Sequence, residues 1–270
     1  FKSYPRNQNL TMFRIGKRSL ITFIKRIFQI ENYIAVTNFF NVHKKPLSAI
    51  FDEIFSLGKY PRLLRFNSPV GEERIKLYSI NDFSTFNLIF CRKDYLFRKK
   101  DKVVLDIGSN IGLSALYWLT RDDGIIVYCY EPSSTNFKKL KKNLKGFKRR
   151  SFIYKNAISN KNFLAYLNIE KSGVYNSLNN QKGISFYKKE RCRVLSINSC
   201  IEKIIKKHGK IDIIKIDNEG EEVKTVASIN KKFWSSINCL NVDGKSVRKF
   251  VPNTFNYSKV GSAQRFYNKS

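Results

Sequence analysis

Short apolar runs and amphipathic stretches take turns along the C-terminal two-thirds of the chain. KVVLDI (102–107), IIVYCYE (125–131), SFIYKNAI (151–158), RCRVLSI (191–197), IDIIKID (211–217) and SINCLNVD (236–243) are rich enough in Val, Ile, Leu and aromatic residues to read as buried strands. The stretches between them predict helices over about 111–120, 134–146, 198–208 and 220–231. Alternation of this kind specifies an α/β fold built on a mostly parallel, doubly wound sheet. The last ~15 residues are polar and are expected to fray.

Ahead of this region the pattern differs. Leu20, Phe23, Ile24, Ile27 and Phe28 recur at helical spacing beside Lys25 and Arg26, which predicts an amphipathic helix. Such a helix packs on the main domain or, alternatively, touches a membrane or partner surface. LSAIFDEIFSLG predicts a second helix that stops at Gly58, with Pro61 just beyond. RLLRF and RIKLYSI flank the turn-rich NSPVGEE and predict a small hairpin. No run of 18 apolar residues occurs, so no bilayer-spanning segment is expected. Phe1 in place of an initiator Met leads us to expect a processed or truncated product.

Charge and cysteine use narrow the picture only a little. Lys and Arg number 51 against 21 Asp and Glu, a formal charge of +30 that attracts polyanions. The excess Lys accompanies heavy use of Ile, Asn, Phe and Tyr, as AT-rich coding produces, and no nucleic-acid recognition motif appears. KKLKKNLKGFKRR (138–150) holds eight basic residues and no acid, which suits the solvated face of a helix or, alternatively, an anionic docking surface. The five cysteines are odd in number and form no C-x-x-C pair, which suggests a reducing, cytoplasmic setting without disulfides or zinc.

The chemistry concentrates at VVLDIGSNIGLS (103–114). Ligands of open parallel sheets sit beyond the carboxyl ends of the strands, and this segment is such an end. Gly108 and Gly112 permit a tight turn, but the second glycine of G-x-G-x-x-G is absent and no G-x-x-x-x-G-K-[ST] loop occurs. The pattern therefore suits a nucleotide-type ligand without pyrophosphate that ends in an amino acid, as S-adenosylmethionine does. Asp106 would stand near its ammonium and sulfonium charges. Glu131, at the tip of the next strand, could accept both ribose hydroxyls. As an alternative, Asp106 is a helix cap and Glu131 a strand-end surface acid.

Five ordered segments, VLDIGSNIGLSALYW, YCYEPSSTNFKKLKKN, KNAIS, YNSL and IDIIKIDNEGEE, resemble the FkbM family of S-adenosylmethionine-dependent methyltransferases over about residues 85–245. The resemblance implies a Rossmann-like class I methyltransferase domain (85–270) behind a basic helical and hairpin lead-in (1–84). It implies O-methylation of a sugar, glycan or glycosylated small molecule. It further implies a donor-binding corner of Asp106, Gly108, Ser109, Asn110 and Gly112, with Glu131 on the ribose, Asn156 and Ala157 by the adenine, and Ser177 near the acceptor. Asn218 departs from the family's pattern, which more often has an aliphatic residue there.

Asp217, at the end of a buried strand, could take the proton of an acceptor hydroxyl. Glu219 could serve instead, and Lys215 could stabilise charge on oxygen or form a structural ion pair with Asp217. Two carboxylates could share a hard cation, but His43 and His208 are the only histidines and no metal is expected. His208 is expected to cap a helix end. Two other function classes stay open: an RNA ribose 2′-O-methyltransferase or other nucleic-acid methyltransferase, and a non-catalytic binding module of the same fold.

Overall fold

The computed structural model describes residues 14–15, 18–19, 30–55, 58–173, 175–180 and 183–269. The amphipathic stripe from Leu20 to Phe28 lies outside the described residues. Internal contacts divide the chain into two compact units. One comprises residues up to Asn67 with Glu72–Lys93, and the other Ser68–Gly71 with Asp94 onward. The expected division at 84/85 falls inside a helix of the first unit.

In that unit, α1 (Ile30–Val42) and α2 (Pro46–Phe55) precede β1 (Arg62–Ser68) and β2 (Gly71–Leu77), which pair as the expected hairpin. α3 (Ile80–Phe86) begins with a capping box, the Ser79 hydroxyl accepting from the Asp82 amide while Asp82 accepts from the Ser79 amide. Its core is aromatic, with Phe86 stacked on Phe90 at 4.2 Å and edge-on to Phe66 at 5.1 Å. His43 is buried there with Nε2 2.7 Å from the Asn87 side-chain oxygen, a structural role.

The second unit is the α/β domain. Its elements are β3 (Val103–Ile107), α4 (Leu113–Leu119), β4 (Ile126–Tyr130), α5 (Ser134–Asn143), β5 (Ser151–Tyr154), β6 (Ala157–Ser159), β7 (Phe163–Glu170), β8 (Phe186–Ser196), α6 (Ile197–His208), β9 (Ile211–Ile216), α7 (Glu222–Ala227), β10 (Ile237–Val242), β11 (Phe255–Val260) and β12 (Ala263–Asn268). Seven strands form the main sheet in the order β11-β12-β10-β9-β3-β4-β5. β5, β4, β3, β9 and β10 are parallel, and β12 and β11 join antiparallel at one edge. From β3 the chain runs outward to β4 and β5, then returns to β9 on the opposite flank. The switch point therefore lies beside the end of β3, where the 108–112 corner stands.

Every residue of β3 and β9 is buried, as expected of central strands covered on both faces. α6 turns Ile197, Cys200, Ile201 and Ile204 into that core, at the spacing of one helix face, and ends at Gly209 with φ +78°. Each fully buried Ile or Leu contributes about 2 kcal/mol before ordering entropy is subtracted. All five cysteines are free and buried.

Three expectations are corrected. SFIYKNAI is not one strand: β5 stays in the main sheet while β6 leaves for a separate three-stranded sheet, β6-β8-β7. RCRVLSI belongs to that small sheet as the end of the long strand β8, and its antiparallel partner β7 was not anticipated. Residues 255–268 form a paired hairpin where fraying was expected, because Phe255, Ala263 and Phe266 are buried and β12 pairs with β10 from Val242 to Cys239.

Candidate functional site

The corner after β3 is held by its own backbone. The amides of Gly108 and Ser109 both donate to the Tyr130 carbonyl, at 3.0 and 3.1 Å, which ties the loop to the end of β4. The Ser109 hydroxyl donates to the Asp106 carbonyl at 2.9 Å, and the Gly112 amide closes the turn on the Ser109 carbonyl at 2.8 Å. Gly108, Asn110 and Gly112 have φ of +74°, +48° and +96°. A Cβ on Gly108 would lie 1.8 Å from the Asp217 carbonyl oxygen, so only glycine lets β9's end approach. At Gly112 the obstruction would be Leu140 on α5, at 2.9 Å.

Glu131 follows β4 and turns back to the corner. Its Oε2 accepts from the Asn110 amide and its Oε1 from the Ser133 amide, both at 2.9 Å. Each oxygen keeps a lone pair, so two neighbouring hydroxyls could still be bound, which fits a ribose. Burial pushes its pKa up to about 7 against the pull of these amides.

On the other side of β3 the central group is Lys215. Its Nζ donates to the carbonyls of Gly108 at 2.7 Å and Ile107 at 3.3 Å, and lies 3.5 Å from Asp106 Oδ1 and 3.3 Å from Asp217 Oδ2. Burial works to lower its pKa, yet Asp217 and Asp106 outweigh it and hold the ammonium well above the ordinary lysine value. Asp106 is fully buried, its other oxygen accepting from the Ser114 hydroxyl at 2.7 Å. It faces Lys215 and the helix start instead of an opening.

Asp217 differs from both. Its side chain is 33% exposed while that of Lys215 is 3% exposed, so it is the one member of this charge group open to an incoming molecule. Its amide donates to the Ile107 carbonyl at 3.2 Å, one step beyond the ladder between β9 and β3. Next to it, Asp243 donates its amide to the Ile216 carbonyl at 3.0 Å and follows Val242, the register partner of Ile216. Burial raises the Asp243 pKa and the Asp217 charge adds to the rise. Tyr95 covers the group, its ring centroid 6.0 Å from the Lys215 Nζ.

The 218–222 loop is anchored from the small sheet. The Ser177 hydroxyl is fully buried and donates to the Glu219 carbonyl at 2.5 Å. Asn218, the departure from the common pattern, donates to the Ile158 carbonyl at 2.9 Å and lies 3.1 Å from the Thr225 hydroxyl. Its amide thus joins β6 to α7, which an aliphatic side chain could not do. Glu219 has φ +50°, and Glu222 accepts from the Gly220 amide with both oxygens at 3.0 Å. Glu221 accepts from the Ser159 hydroxyl and from Asn179 Nδ2, the latter at 2.8 Å.

The structure thus brings Asp106, Gly108, Ser109, Asn110, Gly112, Glu131, Lys215 and Asp217 together around one strand end. Ser177 and Glu219 join as loop anchors. Asn156 is half-buried, its amide 3.4 Å from the Arg193 carbonyl, and Ala157 opens β6 in the small sheet's core. His208 lies elsewhere, with Nε2 2.8 Å from the Tyr128 hydroxyl. Asp243 and Tyr95 were missed. The acid ending SINCLNVD carried the signal for Asp243, since parallel neighbours end side by side, whereas nothing local marked Tyr95.

A family profile described as the methyltransferase FkbM domain matches residues 106–253, more than half of the 270 residues. No curated protein matches the chain. Among solved structures, the methyltransferase FkbM of Methylobacillus flagellatus KT is 14% identical with a TM-score of 0.47, covering 67% of this chain and 48% of that one. The chain therefore spans about half of that protein's length. TrmK of M. capricolum, solved with S-adenosyl-homocysteine, is 13% identical with a TM-score of 0.36 over 63% of this chain and 64% of that one. An rRNA methylase from Streptococcus thermophilus is 7% identical with a TM-score of 0.35, over 63% and 88% of the two chains.

Proposed function

Because the chain belongs to the FkbM family of methyltransferases, we propose that it is an S-adenosylmethionine-dependent O-methyltransferase acting on a hydroxyl of a sugar, glycan or glycosylated small molecule. S-adenosylmethionine, when bound, supplies a methyl group made electrophilic by the neighbouring sulfonium. Glu131 would accept hydrogen bonds from the two ribose hydroxyls with its remaining lone pairs. The Gly108–Gly112 turn would hold the amino-acid end, and Lys215 with Asp106 keeps that turn fixed against β9. Asp217 orients the acceptor hydroxyl and takes its proton on the open carboxylate, while alignment supplies the rest of the rate.

The observation that carries this reading is the contact of Asp217's backbone with Gly108. It sets an accessible carboxylate directly beside the donor corner. A screen of labelled methyl transfer onto glycans, lipid-linked sugars and RNA tests it, with Asp217→Asn as control. Label on a sugar hydroxyl that disappears in the variant supports the reading; label on no acceptor class refutes it.

The charge of +30 favours a second reading, transfer to an RNA ribose 2′-hydroxyl. RNA binding that falls steeply with salt, together with label in RNA, would establish it over the first. A non-catalytic module would show no S-adenosylmethionine heat in calorimetry.

A further inference from the structure

The small sheet β6-β8-β7 buries one face along its length; on the other face Ile158 and Leu195 pack on the main core, and the part formed by the start of β7 and the middle of β8 is left to solvent. Ala157, Leu167, Ile169, Cys192 and Val194 form the buried side. On the opposite side Leu164 and Tyr166 of β7 are 61% and 64% exposed. They stand directly across from Arg193 and Arg191 of β8, both exposed. Lys189 continues the row, and Tyr187, at the β-bulge, is 67% exposed. Neither arginine enters an ion pair or a side-chain hydrogen bond among the described residues.

Two large apolar side chains left in water, each paired across the ladder with an unneutralised guanidinium, form neither a core face nor an ordinary solvated one. We infer that this face docks on a bilayer surface carrying anionic headgroups. Tyrosine suits the interface, with an apolar ring and a polar tip, and arginine reaches phosphate while its stem covers apolar surface. Leu164 separates this occupant from single-stranded RNA. Aromatic rings and guanidinium planes stack on bases, whereas an exposed aliphatic side chain at the start of β7 gains most by entering the acyl boundary.

The same sheet reaches the acid loop. Asn168 of β7 bridges to Ser177, whose hydroxyl holds the Glu219 carbonyl. Docking would thus bring a membrane close to the element that carries Asp217. The inference stands on the exposed face and not on the identity of the methyl acceptor.

The test is co-sedimentation of the full chain with phosphatidylcholine vesicles, with and without about one-third phosphatidylserine, in about 0.1 M salt. Binding to the anionic vesicles alone is expected. Arg191→Gln and Arg193→Gln should each weaken it about fivefold, and the double change Leu164→Ser with Tyr166→Ser about tenfold or more. Lys142→Gln with Lys145→Gln, two exposed lysines at and just beyond the far end of α5, should change it far less. The inference fails if anionic vesicles do not bind, if the α5 variant loses as much as the arginine variants, or if the Ser variant binds undiminished. It also fails if single-stranded RNA displaces the vesicles and its own binding depends on Tyr166.

Discussion

The Nζ of Lys215 donates to the carbonyl oxygen of Gly108 at 2.7 Å, so a side chain from β9 grips the backbone of the corner that follows β3. The same ammonium lies between a buried aspartate and an open one. The 108–112 corner and the acid are therefore set by one charge, and perturbing it should be felt at both.

Lys215→Met should destabilise the protein by about 3–5 kcal/mol, because Asp106 would be left as a buried charge with no cation to offset it, held only by the Ser114 hydroxyl. Adding Asp106→Asn should recover part of that loss. Denaturant midpoints of the two single variants and the double variant measure the coupling, and strict additivity would contradict it.

Gly108→Ala should cost at least about 3 kcal/mol and abolish donor binding, since the peptide of Asp217 would have to move. Gly112→Ala meets only the end of the Leu140 side chain and should be milder, although its φ remains strained. Thermal melts with calorimetric titration of S-adenosylmethionine rank the two.

Asp217→Asn should lower single-turnover methyl transfer about 10²- to 10⁴-fold while leaving the dissociation constant for S-adenosylmethionine within a few fold. A rate equal to that of the parent would remove Asp217 from the chemistry.

Glu131 gives a pH signature. Hydroxyl donors favour its ionised form, so donor affinity should rise with pH and level off above about 7, with proton release on binding near that pH. Folding runs the other way. The folded pKa lies above the unfolded value of 4.5, so this group's contribution is complete below pH 4.5 and is lost as pH rises to about 7. Calorimetry in two buffers of different ionisation heat, with Glu131→Gln as reference, checks both signs.

Cutting the chain after Thr254 should leave an insoluble product. Phe255 and Phe266 would be lost from the core, and β10 would lose its antiparallel neighbour. Solubility and the far-ultraviolet spectrum of the truncated chain decide the point.

Residue order alone revealed the parts of this molecule that depend on local pattern. Continuous apolar runs marked β3, β4, β9 and β10, and the spacing of Asp106, Gly108, Gly112 and Glu131 marked the corner. The small sheet was harder to see because its strands alternate exposed and buried positions. Leu164 and Tyr166 on the outward side blur the period that Leu167 and Ile169 would otherwise show. The last hairpin was hidden for a related reason: most of its positions are polar and open, and of its buried residues Phe255, Ala263, Gln264 and Phe266 one is itself polar. The roles of Asp106 and Lys215 depended on which groups meet across neighbouring strands, a property of register that no single segment carries.

The pairing of β10 with β12 has a bearing on biogenesis. β10 is translated before either strand of the hairpin that completes the sheet, so a nascent chain carries an unpaired central edge bounded by Cys239, Leu240 and Val242. Until Ala263–Asn268 arrives, that edge is open to another unfinished copy, which makes the yield of active protein sensitive to expression rate and to chaperone supply.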